Sequence, residues 1–201
     1  SFDFLSPELL TGTRVARVLK AFDEFAGDGW SCWAYSNHDV MRHASRWGLS
    51  EAALKVHTAL LMCLRGSVCI YQGEEVGLTE ADLAFEDLHD PYGIRFWPEY
   101  KGRDGCRTPM PWDDGPNGGF CPPGVTPWLP MGPAAARRNV AVELGDPHSH
   151  LNLYRHLVAL RRRSLALRLG DYRAISSAPD GCFAYRRSHP GAPSLAVALN
   201  F

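Results

Sequence analysis

The chain alternates between stretches with helical periodicity and short apolar runs. From Phe2 to Phe25 the apolar residues recur three and four positions apart, which predicts a helix. A second helix is predicted to begin at Ser50, a residue suited to cap a helix, with Glu51 in the first turn. His148 to Ser164 shows the same helical spacing and has three arginines near its end, where they suit the helix dipole.

Two short apolar runs between these helices predict buried strands. Trp30 to Tyr35 is aromatic and apolar on both faces, and Val68 to Tyr71 is a second run of this kind. Polar residues follow each run at once, Ser36 to Asp39 after the first and Gln72 to Glu75 after the second. This order predicts an α/β fold with a parallel sheet, in which the functional groups lie where the strands end.

The remaining chain divides into a long irregular region and a region of strands. Glu80 to about Pro147 has no regular period, but its aromatic residues predict an ordered segment, and ordered loops of this length are usually functional. After Gly170 the pattern changes, and Gly181 to Arg186 and Ser194 to Phe201 are typical of strands. We therefore predict a boundary near residue 168.

Charge and composition narrow the classes of function. The 201 residues include 21 basic and 22 acidic residues, a net charge of −1 with histidine neutral, which argues against a nucleic-acid or membrane-surface partner held by bulk charge. Apolar runs such as Ala59 to Leu64 are far shorter than the roughly 20 residues of a membrane span. Ser1 to Leu10 has neither the basic start nor the apolar core of a signal peptide.

The cysteines and histidines give no sign of a metal site. None of the six cysteines forms a CxxC pair, and Cys32, Cys63 and Cys69 lie in apolar stretches. We expect these three to be reduced packing residues, which favours a reducing compartment, the cytoplasm. His148 and His150 have the spacing of a metal-binding pair, but with no third ligand nearby we expect an ordinary turn into a helix.

Three sequence motifs that contain these polar residues or follow them resemble segments of a known enzyme family. Trp30 to Arg42, WSCWAYSNHDVMR, resembles the strand-seven motif of glycoside hydrolase family 13, the α-amylase superfamily. YQGEEVG, from Tyr71 to Gly77, is similar to the strand-eight motif of its α-glucosidase branch. Lys101 to Asp113, KGRDGCRTPMPWD, resembles the segment after strand eight in oligo-1,6-glucosidases and α-glucosidases. One such motif alone is weak, but three in this order are highly specific.

The resemblance implies the C-terminal part of a (β/α)₈ TIM barrel, with strands 7 and 8 and their helices in residues 1–167. Residues 168–201 would begin an incomplete all-β C-terminal domain. The family's nucleophile, an aspartate in a Gly-x-Arg-x-Asp pattern, and its acid/base glutamate have no match in this sequence, so we expect both upstream of Ser1. Two strands cannot close a barrel, so we expect the chain alone to be inactive and poorly stable.

The resemblance also implies a retaining hydrolysis of terminal α-glucosidic bonds in oligosaccharides or other α-glucosides, with no cofactor. Asp39 matches the carboxylate that stabilises the transition state, and His38 matches a histidine that binds the same sugar. Arg103 is favoured over Arg107 as the arginine that contacts the glucose at subsite −1. Arg107 is expected to bind sugar or to brace its loop through a carboxylate such as Asp104.

Three further residues have open roles. One of Glu74 and Glu75 is expected to face the rim of the pocket and the other to make a salt bridge. We take Glu74 as the residue at the rim, where it would bind substrate. Arg42 is expected either to support Asp39 from behind or to be a solvated surface arginine.

Three other functions remain as alternatives. A sucrose isomerase or transglycosylase shares this scaffold. A non-catalytic relative, such as the heavy chains of amino-acid transporters, is disfavoured by the intact His38, Asp39 and Arg103. A stand-alone sugar-binding module is disfavoured by the open strand edges. The preference for α-1,4 or α-1,6 bonds and the oligomeric state stay open.

Overall fold

A computed structural model describes residues 3–26, 29–175 and 181–201. The helices in these ranges are α1 (Gly12–Ala26), α2 (His43–Arg46), α3 (Glu51–Cys63), α4 (Pro91–Arg95), α5 (Val140–Gly145), α6 (His150–Arg163) and α7 (Leu165–Leu169). The strands are β1 (Cys32–Trp33), β2 (Ser67–Val68), β3 (Asp171–Ala174), β4 (Cys182–His189) and β5 (Ala192–Asn200). Among the described residues, no helix has the length and apolar character needed to cross a membrane.

The chain folds as two compact units. The first consists of Ser1–Ala34, Leu49–Cys69 and Tyr154–Phe201. The second consists of Tyr35–Gly48 and Ile70–Leu153. The loops that follow β1 and β2 therefore both belong to the second unit.

The three predicted helices are present, but the first starts later than predicted. α3 follows Ser50, whose side chain accepts a hydrogen bond from the backbone N of Ala53 at 3.2 Å. α6 covers the third predicted helix. α1 starts at Gly12 rather than at Phe2, which lies outside the described residues. Thr11 explains the start at Gly12, because its hydroxyl accepts a hydrogen bond from the backbone N of Arg14 at 3.3 Å and so caps the helix.

Removing the cap at Ser50 tests how much this local signal stabilises α3. Ser50→Ala leaves the N–H of Ala53 without its side-chain acceptor, so we expect the free energy of unfolding to fall by about 1 kcal/mol. Ser50→Asp retains an acceptor and is expected to stay within a few tenths of a kcal/mol of the wild type. Urea unfolding followed by circular dichroism measures both, and equal losses in the two variants would contradict the capping role.

The two short strands of the first unit pair in parallel, with Trp33 opposite Val68, which confirms the predicted parallel arrangement. Each strand is only two residues long. Trp33 is fully buried, and its indole Nε1 donates to the carbonyl of Arg65 at 2.6 Å. Gly66, with φ +127°, follows directly, and a Cβ there would lie 2.8 Å from that Nε1. The chain therefore enters β2 through a position that only glycine fits.

The same unit contains an antiparallel sheet in the order β3-β4-β5. β4 and β5 correspond to the two predicted strands, whereas β3 was not predicted. Arg187 of β4 is fully buried and donates to the carbonyls of Cys63 at 2.7 Å, Leu167 at 3.1 Å and Gly170 at 2.8 Å. Burial lowers the pKa of Arg187 to about 10. The cation satisfies carbonyls at the ends of α3 and α7, where the helix dipoles favour positive charge.

The long irregular region folds around two apolar clusters in the second unit. The first cluster consists of Ala81, Leu83, Leu88 and Leu129, with Trp97 packed against it. The second consists of Val76, Leu78 and Met110, with Val140 and Leu151 packed against it. Met110 of the second cluster lies three residues after Arg107, so apolar packing anchors the segment that carries Arg103 and Arg107.

Cys32, Cys63 and Cys69 are free cysteines, but the prediction that they pack in the interior is correct for one and wrong for two. Cys63 is buried, as expected of a packing residue. Cys32 and Cys69 are exposed. In β1 neighbouring side chains point to opposite faces, so the buried Trp33 places Cys32 on the exposed face.

Candidate functional site

The loop after β1 presents His38 and Asp39 to solvent. Asn37 shapes this loop, because its Oδ1 accepts a hydrogen bond from the backbone N of Asp39 at 2.8 Å, a typical Asx turn. Nε2 of His38 lies 3.3 Å from Oδ2 of Asp39, and their side chains are 70% and 51% exposed. Both predicted groups are therefore adjacent and accessible to a ligand.

Two arginines from the second polar segment converge on Asp39. Nη1 of Arg103 donates to Oδ1 of Asp39 at 2.9 Å, and Nη2 of Arg107 donates to the same oxygen at 3.3 Å. Nε of Arg107 also donates to the carbonyl of His38 at 2.7 Å. A short 3₁₀ turn, Asp104–Cys106, separates the two arginines. Four of the predicted site residues thus lie together.

The carboxylate that pairs with Arg107 is Asp39, so the predicted pairing with Asp104 is wrong. Asp104 is buried, and its Oδ2 accepts hydrogen bonds from the backbone N–H groups of His89 and Asp90, both at 2.7 Å. Buried backbone donors need a partner. Asp104 meets that need and so serves the loop rather than the arginine.

Asp90 is a member of this group of residues that the sequence analysis missed. Its side chain is fully buried; Oδ2 accepts from the backbone N and from Nε of Arg103, both at 2.8 Å, and Oδ1 accepts from Nη2 at 2.9 Å. The hydrogen bonds from Arg103 hold the pKa of Asp90 well below its ordinary value and raise the pKa of Arg103. The available signal, an aspartate before Pro91, indicates only the start of α4.

Glu74 lies against a histidine, a contact that is an ion pair only when the imidazole is protonated. Its Oε1 lies 3.1 Å from Nδ1 of His43, and the two side chains are 1% and 2% exposed. Its Oε2 accepts from the backbone N of Tyr71 at 3.1 Å. Because a side chain this buried does not reach a sugar, the structure argues against the predicted substrate contact of Glu74. Burial raises the pKa of the neighbouring Glu75.

Arg42 is fully buried, so the alternative of a solvated surface arginine is wrong. Its Nη1 donates to the carbonyl of Gln72 at 2.7 Å and its Nη2 to the carbonyl of Cys106 at 3.0 Å. Its backbone N donates to Oε2 of Glu80 at 2.9 Å. Arg42 thereby connects the loop of Asp39 with the loop after β2 and with the turn between the two arginines.

A cavity of about 580 Å³ opens beside His38 and Arg107. Its remaining walls are Tyr71, Gln72, Thr108, Pro109, Met110, Phe120 and Trp128. Within the described ranges, no group of three histidines, cysteines or carboxylates is arranged to hold a metal ion. Of the four converging residues, His38 and Arg107 line this volume, and an imidazole and a guanidinium beside an open space suit a polyhydroxylated ligand.

Known proteins resemble this chain over nearly its whole length. Residues 10–170 match the alpha-amylase family, described as "Alpha amylase, catalytic domain". A probable alpha-glucosidase of Rhizobium meliloti (strain 1021) is 51% identical over 193 residues, which cover 94% of this chain and 34% of that protein. The chain spans about a third of the length of the curated relatives that it matches.

Solved structures agree with this match. The crystal structure of the alpha-glucosyl transfer enzyme XgtA has a TM-score of 0.90 and 43% identity, and the match covers 100% of this chain and 37% of that one. The trehalulose synthase MutB from Pseudomonas mesoacidophila MX-45 has a TM-score of 0.85 and 30% identity, with 100% and 41% covered.

Proposed function

Because this chain belongs to the α-amylase family, glycoside hydrolase family 13, we propose that it is part of a retaining α-glucosidase that hydrolyses terminal α-glucosidic bonds of oligosaccharides. The observation that carries this proposal is the convergence of Arg103, Arg107 and His38 on Asp39 beside an open cavity. The 51% identity with a probable alpha-glucosidase supports it.

The proposal includes a domain assignment. The chain has the α/β fold of α-amylase-family (TIM-barrel) proteins. We assign β1 and β2 to barrel strands seven and eight, and residues 1–167 to the catalytic barrel. Residues 168–201, which contain β3, β4 and β5, then begin the C-terminal β-domain.

In this route, Asp39 stabilises the transition state. Cleavage of a glucosidic bond develops positive charge on the sugar ring, and a carboxylate aimed at the ring complements that charge. The two arginines share Oδ1 of Asp39, while Oδ2 lies next to His38. We propose that Asp39 accepts hydrogen bonds from two sugar hydroxyls and that His38 binds a hydroxyl of the same sugar.

The nucleophile and the acid/base must then come from outside these 201 residues. The Gly-x-Arg-x-Asp pattern of the family's nucleophile does not occur in the sequence. The carboxylate at the site, Asp39, is held by two arginines, which suits a fixed electrostatic role. We propose that a longer polypeptide contributes the remaining strands of the barrel together with these two groups.

The isolated chain is therefore expected to release no p-nitrophenol from p-nitrophenyl α-glucoside, whereas the longer protein hydrolyses it. Absorbance of p-nitrophenolate measures the release. An Asp39→Asn version of the isolated chain, purified in parallel, reports any contaminating glucosidase. Release by the wild-type chain above that control would overturn the proposed division of catalytic groups.

A transglycosylase or sucrose isomerase is the second candidate, because the chain is structurally similar to a glucosyl transfer enzyme and to a trehalulose synthase. Product analysis on sucrose separates the possibilities. A hydrolase yields glucose and fructose, an isomerase yields a glucosyl-fructose of unchanged mass, and a transglycosylase yields longer saccharides.

A further inference from the structure

Asp90 accepts hydrogen bonds from Arg103, the arginine that also donates to Asp39. The proposed function leaves the role of Asp90 unassigned. Two of the contacts, Nε to Oδ2 at 2.8 Å and Nη2 to Oδ1 at 2.9 Å, form a fork. A bidentate fork is the strongest and most directional pairing of an arginine with a carboxylate. Since Asp90 is fully buried, water does not compete with this pairing.

The fork fixes the orientation of the Arg103 guanidinium towards Asp39. A guanidinium has five N–H donors on three nitrogens, and the fork to Asp90 uses one on Nε and one on Nη2. The third, Nη1, donates to Oδ1 of Asp39 at 2.9 Å. Oδ2 of Asp39 lies instead 3.3 Å from Nε2 of His38.

We propose that Asp90 is a positioning residue that fixes the guanidinium of Arg103 so that Nη1 donates to Oδ1 of Asp39. Without the fork, the guanidinium would be free to turn, and Asp39 would lose the contact that holds its Oδ1 on the side of the arginines. The carboxylate would then no longer be fixed in the orientation in which it receives the sugar hydroxyls. The inference rests on the proposed function, because only the proposed function gives Asp39 the role of binding sugar hydroxyls.

The surroundings of Asp90 hold it in this role. Its backbone N donates to Asp104 at 2.7 Å, and its side chain also accepts from the backbone N of Tyr92 at 3.2 Å. Gly102 has φ +79°, and a Cβ there would lie 2.9 Å from Oδ2 of Asp90. The absence of a side chain at Gly102 therefore lets the backbone approach the buried carboxylate.

Asp90→Asn in the longer protein tests the proposal. The amide cannot accept from both Nε and Nη2 of Arg103, so we expect kcat to fall about 100-fold, the cost of a misplaced group, while KM rises less than threefold. Asp82→Asn, an exposed carboxylate in the same region, is the matched control and should keep the wild-type kcat. Asp90→Ser retains the acceptor for Tyr92 but not the fork, and should reproduce the fall in kcat if the asparagine variant does not fold.

A double-mutant cycle separates positioning from general structural support. If Asp90 acts through Arg103, then Asp90→Asn causes no further loss of kcat in an Arg103→Ala background. If Asp90 only stabilises the fold, the two losses multiply. Folding of each variant is followed by thermal unfolding.

The outcomes also separate this inference from the proposed function. A wild-type protein that cleaves α-glucosides, with a kcat that Asp90→Asn leaves unchanged, would overturn the role of Asp90 alone. Multiplying losses in the cycle would overturn it as well. A wild-type protein that cleaves no α-glucoside would overturn the proposed function and, with it, the inference that rests on it.

Discussion

Asp39→Asn in the longer protein is expected to lower kcat for α-glucosides about 1,000-fold, the upper range for losing one electrostatic contact to a transition state. The asparagine has the same shape but no charge, so it does not complement the positive ring. It also leaves Arg103 and Arg107 without the anion that they share. We expect KM to change much less, because the charge on the ring develops only in the transition state.

Initial rates with p-nitrophenyl α-glucoside and with maltose measure this effect. Asp114→Asn, an exposed aspartate in the same unit, is the matched control and should retain the wild-type kcat. If the Asp39 variant keeps more than a tenth of the wild-type kcat while its structure is intact, Asp39 does not stabilise the transition state.

Arg42→Met is expected to lower the free energy of unfolding by about 3 kcal/mol. The substitution keeps an apolar stem but removes the donors to the carbonyls of Gln72 and Cys106, and a buried group left without a partner costs about 1–3 kcal/mol. It also removes a positive charge that opposes the raised pKa of the half-buried Glu75 and Glu80. The carbonyl of Cys106 keeps a second donor, the hydroxyl of Tyr71, so the cost at this carbonyl is expected at the lower end of the range of about 1–3 kcal/mol.

This loss is expected to shrink as the pH falls from 8 towards 5. Burial raises the pKa of Glu75 and Glu80, and Arg42 opposes this effect in both. Without Arg42 both folded-state pKa values rise further above the unfolded values. Carboxyls with a raised pKa destabilise the fold at high pH and stop doing so once they are protonated. The Arg42→Met variant therefore regains stability on acidification.

Urea unfolding at several pH values measures both effects. Arg17→Met is the matched control, since Arg17 is 68% exposed and forms a surface ion pair with Glu8, a kind of contact worth about 1 kcal/mol or less. Arg42→Lys retains the charge without spanning both carbonyls and should lie between the wild type and Arg42→Met. A loss for Arg42→Met no larger than that for Arg17→Met would contradict the structural role of Arg42.

Local signals in the sequence were sufficient for several elements. Ser50 starts α3 because a cap and the first turn lie within four residues of each other. β4 and β5 follow from the residues they contain, whereas β3, Asp171–Ala174, buries none of its four residues and so has no alternation of buried apolar and exposed polar positions. The predicted parallel pairing of β1 and β2 rested on the alternation with helices, a rule of connection that holds without knowledge of contacts.

By itself the sequence determined the residue types of the site, His38 and Asp39 in one motif and Arg103 and Arg107 in another. Only the tertiary structure decided what each side chain contacts. Arg42 donates to carbonyls 30 and 64 positions away, and Asp90 accepts hydrogen bonds from an arginine 13 positions away. Such contacts depend on the path of the whole chain, because a buried charge pairs with whichever group folding brings beside it and not with its neighbours in sequence.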